Sequence, residues 1–150
     1  MTDLRDLYQE VILDHNKSPH NYREMTDATR MALGYNPLCG DKMKLYAKIE
    51  GDRIADVTFQ GSGCAISKAS ASIMTDAIKG KTLAEAEALY GKFHDLLTGP
   101  PDVKADGAGL GKLAVFSGVR EFPARVKCAT LAWHTLQTVL KNTQDVAKTE

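Results

Sequence analysis

Leu4, Leu7, Tyr8, Val11 and Ile12 recur on one helical face, so the chain opens with an amphipathic helix that Pro19 stops at about Asn16. From Met43 to Ile49 apolar and polar residues alternate, Gly51-Asp52 offers a turn, and Ile54 to Phe59 forms a second β-rich run. This pattern predicts a hairpin. Arg30 to Tyr35 supplies a candidate third strand, because a lone hairpin is marginal in water. Ser62 or Gly63 is then expected to cap a helix that buries Ile66, Ala69, Ile73 and Ala77 and ends at Gly80. Thr82 with Glu85 forms a capping box opening a helix from Leu83 to Leu97, its buried stripe being Leu83, Ala86, Leu89, Phe93 and Leu96. Gly99-Pro100-Pro101-Asp102 breaks the chain, and Leu110 to Val119 is a short helical candidate. Val126, Ala129, Trp133, Leu136 and Leu140 mark a final helix. Sheet signals early and helices later make the fold class α+β.

Composition narrows the function classes. The 150 residues suit a single domain, 1–150, with neither an internal repeat nor a low-complexity segment. Nineteen basic residues balance nineteen acidic ones, which argues against nucleic acid as a partner. No apolar run approaches the ~20 residues that span a bilayer, and Met1-Thr2-Asp3-Leu4-Arg5-Asp6 lacks the apolar core of a signal peptide. The expectation is a reducing cytoplasm without membrane contact. There, scattered cysteines point to metal, persulfide or catalysis more often than to a disulfide framework.

The three cysteines lie in Asn36-Pro37-Leu38-Cys39-Gly40-Asp41, Gly61-Ser62-Gly63-Cys64-Ala65 and Arg125-Val126-Lys127-Cys128-Ala129. An odd number of thiols cannot all pair, and three thiolates with one carboxylate make the four donors that tetrahedral zinc takes. Cys39 and Asp41 are expected on one loop, with Gly40 between them allowing both side chains to aim at a common point. Cys64 and Cys128 are expected near helix N-termini, where free N–H groups favour thiolate, and Arg125 and Lys127 add positive charge beside Cys128. Asp41 is the harder ligand of the set, which hints at exchange rather than a purely structural site. Against the metal reading, free cysteine is commonly a small buried hydrophobe, but these three fall at turns and helix mouths instead of on apolar stripes. Gly61-Ser62-Gly63 lacks the ending of a phosphate loop and reads as a turn and cap. His15, His20, His94 and His134 read as solvated or capping residues, Lys79 and Lys81 as a solvated helix end, and Trp133 as core.

These motifs, together with Leu7-Tyr8-Gln9-Glu10-Val11-Ile12-Leu13-Asp14-His15 and Asn16 to Asn21 around Pro19, resemble the IscU/NifU-like family and its SufU branch in particular. The resemblance runs through nearly the whole chain. It implies a small antiparallel sheet of about three strands with helices packed mainly on one face, a SufE/NifU-like arrangement. IscU-type scaffolds usually place a His before the last cysteine, where this chain has Lys127, and the long segment between Cys64 and Cys128 resembles a SufU insertion. The SufU resemblance implies Zn2+ bound by Cys39, Asp41, Cys64 and Cys128, and persulfide sulfur received on Cys39 from a SufS-type cysteine desulfurase for downstream Fe–S assembly proteins. Arg125 is then expected to capture Asp41 or Cys39 during ligand exchange. The alternatives are a scaffold holding a transient [2Fe–2S] cluster on Cys39, Cys64 and Cys128, and a purely structural zinc protein. A monomer or weak oligomer is expected.

Overall fold

The computed structural model describes residues 4–37, 40–98, 116, 123–141 and 147–148. The elements run α1 (Leu4–Lys17), β1 (Arg30–Asn36), β2 (Asp41–Glu50), β3 (Arg53–Ser62), α2 (Ala65–Ile78), α3 (Leu83–Thr98), α4 (Pro123–Lys141) and β4 (Ala147–Lys148). The expected α+β class is found, with β1, β2 and β3 forming an antiparallel meander. The sheet also gains a fourth strand, because the free edge of β1 at Gly34 and Tyr35 takes Ala147 and Lys148 in parallel. Among the described residues no helix is long and apolar enough to cross a membrane.

Alternation along β1 decides which sheet face is covered. Ala32 and Gly34 are buried while Met31 and Leu33, which alternate with them, are exposed, so the helices occupy one side. Gly34 is the point of closest approach, since a Cβ there would lie 2.1 Å from Thr135 Oγ1 on α4. Helix α4 buries Ala129, Leu131, Ala132, Trp133, Leu136 and Val139, which is more than the single predicted stripe because sheet, α2 and α3 all pack against it. Trp133 is core as expected, its ring stacked on Phe93 at 4.6 Å. The helix begins three residues before its first apolar position, at Pro123, a residue preorganised for the first helical site.

Helix α2 departs from its expected single stripe. Ser67, Ser70, Ser72 and Thr75 are buried with Ala69, Ile73, Met74 and Ile78, whereas Ile66 and Ala77 are only half-buried. Hydroxyls tolerate this burial where they find partners, as Ser70, Ser72 and Thr75 do. Ser70 donates to the Ala129 carbonyl at 2.6 Å, and Ser72 pairs with His15 Nδ1 at 2.7 Å while accepting the His20 amide at 2.7 Å. His15 is therefore a core residue joining α1 to α2, contrary to the solvated role read from sequence. The Thr82–Glu85 capping box is present, its two reciprocal bonds measuring 3.0 and 3.1 Å. The break predicted at Gly99-Pro100-Pro101-Asp102 and, apart from the buried Phe116, the helical candidate Leu110 to Val119 lie outside the described residues.

His134 also differs from expectation, lying half-buried on α4 against Tyr90, whose hydroxyl is 3.3 Å from Nδ1, and near His94. Burial first, and the His94 charge second, hold its pKa below the ordinary value. The unfolded chain therefore takes up this proton first as pH falls through about 6.5, so the folded state loses stability until the native imidazole protonates too. The fall in unfolding midpoint between about pH 7 and about pH 5.5 should be smaller in His134→Asn than in the parent.

Candidate metal centre

Strands β1 and β2 end on a cross-strand pair, Asn36 opposite Asp41, and the intervening turn is closed by the Gly40 amide donating to the Asn36 carbonyl at 2.8 Å. Asp41 is thus the first residue of a strand and fully buried, rather than a loop neighbour of Cys39. Cys39 and Leu38 lie outside the described residues. A buried carboxylate requires hydrogen-bond partners. Asp41 Oδ1 accepts the Cys64 amide at 2.8 Å, and the Cys64 thiol donates to Oδ2 at 3.6 Å.

Cys64 itself caps α2, whereas Ser62 or Gly63 was expected in that role. It has extended backbone angles, and its sulfur accepts the Ser67 amide at 3.4 Å. Gly63 precedes it with φ of 142°, and a Cβ there would sit 2.1 Å from Asp41 Oδ1. Glycine is needed at this point both for its backbone angle and for the space it leaves to the carboxylate.

Cys128 reaches the same place from α4. It is buried, but as the sixth helical residue it lies past the first-turn amides, so the helix-terminus argument made for it from sequence does not hold. Its sulfur instead faces the side-chain amide of Asn36, which donates from Nδ2 at 3.7 Å. Arg125 is exposed, one turn earlier on α4, and Lys127 is half-buried. Asn36, fully buried against the cluster, is a residue that sequence reasoning passed over, although its position directly before the Pro37-Leu38-Cys39-Gly40 turn was on view.

Three elements thereby bring one ligand atom each from Asp41, Cys64 and Cys128 within 4.8 Å of one another. Donors bonded at roughly 2.0–2.3 Å to one tetrahedral ion stand about 3.3–3.8 Å apart, so a cluster within 4.8 Å closes on a single ion by side-chain shifts of about an ångström. Two soft sulfurs and one carboxylate, enclosed by protein, fit a borderline ion such as zinc. Burial pushes the Cys64 thiol up in pKa, the Ser67 amide and Cys128 draw it back, and the Asp41 charge pushes it up again. A cation among the donors reverses that balance and favours thiolate. Among the described residues the cluster includes no histidine, as Lys127 before Cys128 implies.

Residues 7–129 match the NifU-like N terminal domain. The chain is 43% identical over 135 residues to the zinc-dependent sulfurtransferase SufU of Bacillus subtilis, with 90% of each chain covered. It is 40% identical over 141 residues to the iron–sulfur cluster assembly scaffold protein IscU of Streptococcus pyogenes, covering 94% of this chain and 87% of the other. A crystal structure of a candidate iron–sulfur cluster assembly scaffold protein for the SUF system from Fervidobacterium islandicum AW-1 superposes with a TM-score of 0.81 at 36% identity, over 89% of this chain and 96% of that one. With its meander, its helical layer and its gathered aspartate and cysteines, the chain belongs to the NifU-like N-terminal domain family.

Proposed function

We propose that this chain is a zinc-dependent sulfurtransferase of iron–sulfur cluster assembly, accepting persulfide sulfur on Cys39 from a SufS-type cysteine desulfurase. The observation that carries this reading is the convergence of Asp41, Cys64 and Cys128, with Cys39 two residues from Asp41 in sequence. The likeness to the Bacillus subtilis sulfurtransferase supports it. Residues 1–150 act as one NifU-like unit, with Cys39, Asp41, Cys64 and Cys128 as the zinc ligands. Bound zinc keeps its thiol ligands deprotonated near neutral pH and holds their segments together.

In the transfer step, the Cys39 thiolate attacks the outer sulfur of the desulfurase persulfide. The donor's S–S bond breaks, a new S–S bond forms on Cys39, and the desulfurase cysteine leaves as thiolate, so no external oxidant or reductant is consumed. Asp41, Cys64 and Cys128 remain in place, each with a hydrogen-bond partner independent of Cys39. Arg125, exposed on the first turn of α4 three residues before Cys128, is the cation assigned to capture Asp41 or Cys39 during ligand exchange. The sulfur then passes to downstream assembly proteins.

The test pairs wild type and Cys39→Ser with a SufS-type desulfurase and cysteine. Stimulation of desulfurase turnover should vanish in the variant while its circular dichroism is retained, and mass spectrometry of wild type should find one added sulfur on the peptide carrying Cys39. Full stimulation by Cys39→Ser overturns the acceptor assignment. The likeness to IscU-named scaffolds favours a second reading, a transient [2Fe–2S] cluster on Cys39, Cys64 and Cys128. Anaerobic reconstitution that loads iron and sulfide stoichiometrically, displaces zinc and passes the cluster to an apo-protein would select it.

A further inference from the structure

We infer that Asn36 is a positioning residue that fixes Cys128 as a permanent anchor of the metal centre and ties it to the turn carrying Cys39. This deepens the zinc reading above and rests on it. Asn36 is fully buried at the end of β1, where a strand residue next to a turn has no packing need for an amide. Its two ends serve different partners. The backbone carbonyl closes the turn through the Gly40 amide at 2.8 Å, and the side-chain Nδ2 donates to Cys128 Sγ at 3.7 Å, ninety-two residues away in sequence.

The chemistry favours a functional role for that contact. A metal-bound thiolate carries excess negative charge in a protein-enclosed site, and an N–H donor to sulfur draws off some of that charge while fixing the lone-pair direction. Each described donor has such a support: Asp41 has the Cys64 amide, Cys64 has the Ser67 amide, and Cys128 has Asn36. The first two supports are main-chain amides, which every substitution short of proline leaves in place. Among the described residues the amide on Cys128 comes from a side chain, and that side chain sits on β1, the strand that leads into the Cys39 turn. Because the turn is closed by the main chain of the same residue, changing the side chain uncouples Cys128 without opening the turn.

The experiment uses the full chain loaded with cobalt(II) in place of zinc, comparing wild type, Asn36→Leu and Asn36→Ala. Loss of an N–H donor makes sulfur a stronger electron donor, so the thiolate-to-cobalt absorption band should move to lower energy in both variants. Competition with a chelator should show affinity lower by about 10- to 100-fold, the usual cost of losing a group that supports a ligand. A merely structural amide would change thermal stability without moving that band. An unmoved band with affinity within about twofold of wild type overturns the inference. A wild-type measurement covers variants that do not fold: cadmium with a spin-half nucleus should show scalar coupling to the Asn36 side-chain protons through sulfur, and absence of that coupling overturns the inference. Failure of wild type to bind cobalt or cadmium at all defeats the zinc reading itself, and the inference with it.

Discussion

Gly63→Ala is expected to dismantle the donor cluster while leaving the rest of the fold standing. The new methyl carbon would lie 2.1 Å from Asp41 Oδ1, 2.8 Å from its Cγ and 2.9 Å from its Cα, all inside contact distance. Asp41 cannot step aside, because it is fully buried, paired with Asn36 across the sheet and bonded to the Cys64 amide. The φ of 142° adds strain of about 1–3 kcal/mol for a residue with a side chain. Moving the carboxylate also withdraws the acceptor from Cys64, so two donors are lost to one methyl group. Metal affinity should fall by more than about 100-fold, beyond what loss of a supporting group alone costs. Chelator competition measures that fall, and thermal unfolding of the metal-free variant measures the strain. Affinity within about twofold of the parent would show that Gly63 does not shape the site.

Trp133→Ala should be the most destabilising change in the helical layer. The indole is fully buried, lies nearly parallel to Phe93 with 21° between the rings, and Phe93 in turn meets Phe116 edge-on at 5.7 Å. Removing it opens a large cavity among side chains held by the sheet and two helices, for a loss of about 3–5 kcal/mol. For a chain of this size the unfolding midpoint should drop by roughly 6–20 °C. Trp133→Phe separates volume from polarity. Nε1 has no hydrogen-bond partner among the described residues, so phenylalanine loses packing but also removes an unpaired donor. It should cost less than half as much as alanine in the same denaturation experiment, and equal losses would point to a partner for the indole N–H.

What the sequence disclosed follows the strength of each local signal. The Met43 to Ile49 alternation and the Gly51-Asp52 turn placed the hairpin, because one sheet face is covered and the other is not. The strand ran on through Gln60, Gly61 and Ser62, which carry no strand propensity, because Lys42 to Lys44 pair with them. Cys64, Asp41 and Cys128 could be grouped by residue type, but not the manner of their holding. Asp41 was read as a loop ligand beside Gly40, and its buried strand position is tolerable because the Cys64 amide and thiol both donate to the carboxylate. Buried hydroxyls on α2 and the core position of His15 were illegible for the same reason. His15, Ser70 and Ser72 become acceptable in the core through partners more than fifty residues away.

The cap at Cys64 gives the centre a readout deep in the molecule. The sulfur that faces Asp41 also accepts the Ser67 amide, so filling or emptying the site alters the end of the helix that threads the core. Whatever binds there is thermodynamically coupled to the nucleation of α2. Slow hydrogen exchange at Ser67 and Lys68 would then record occupancy from inside the fold, making the first turn of this helix a built-in gauge of whether the chain is charged or spent.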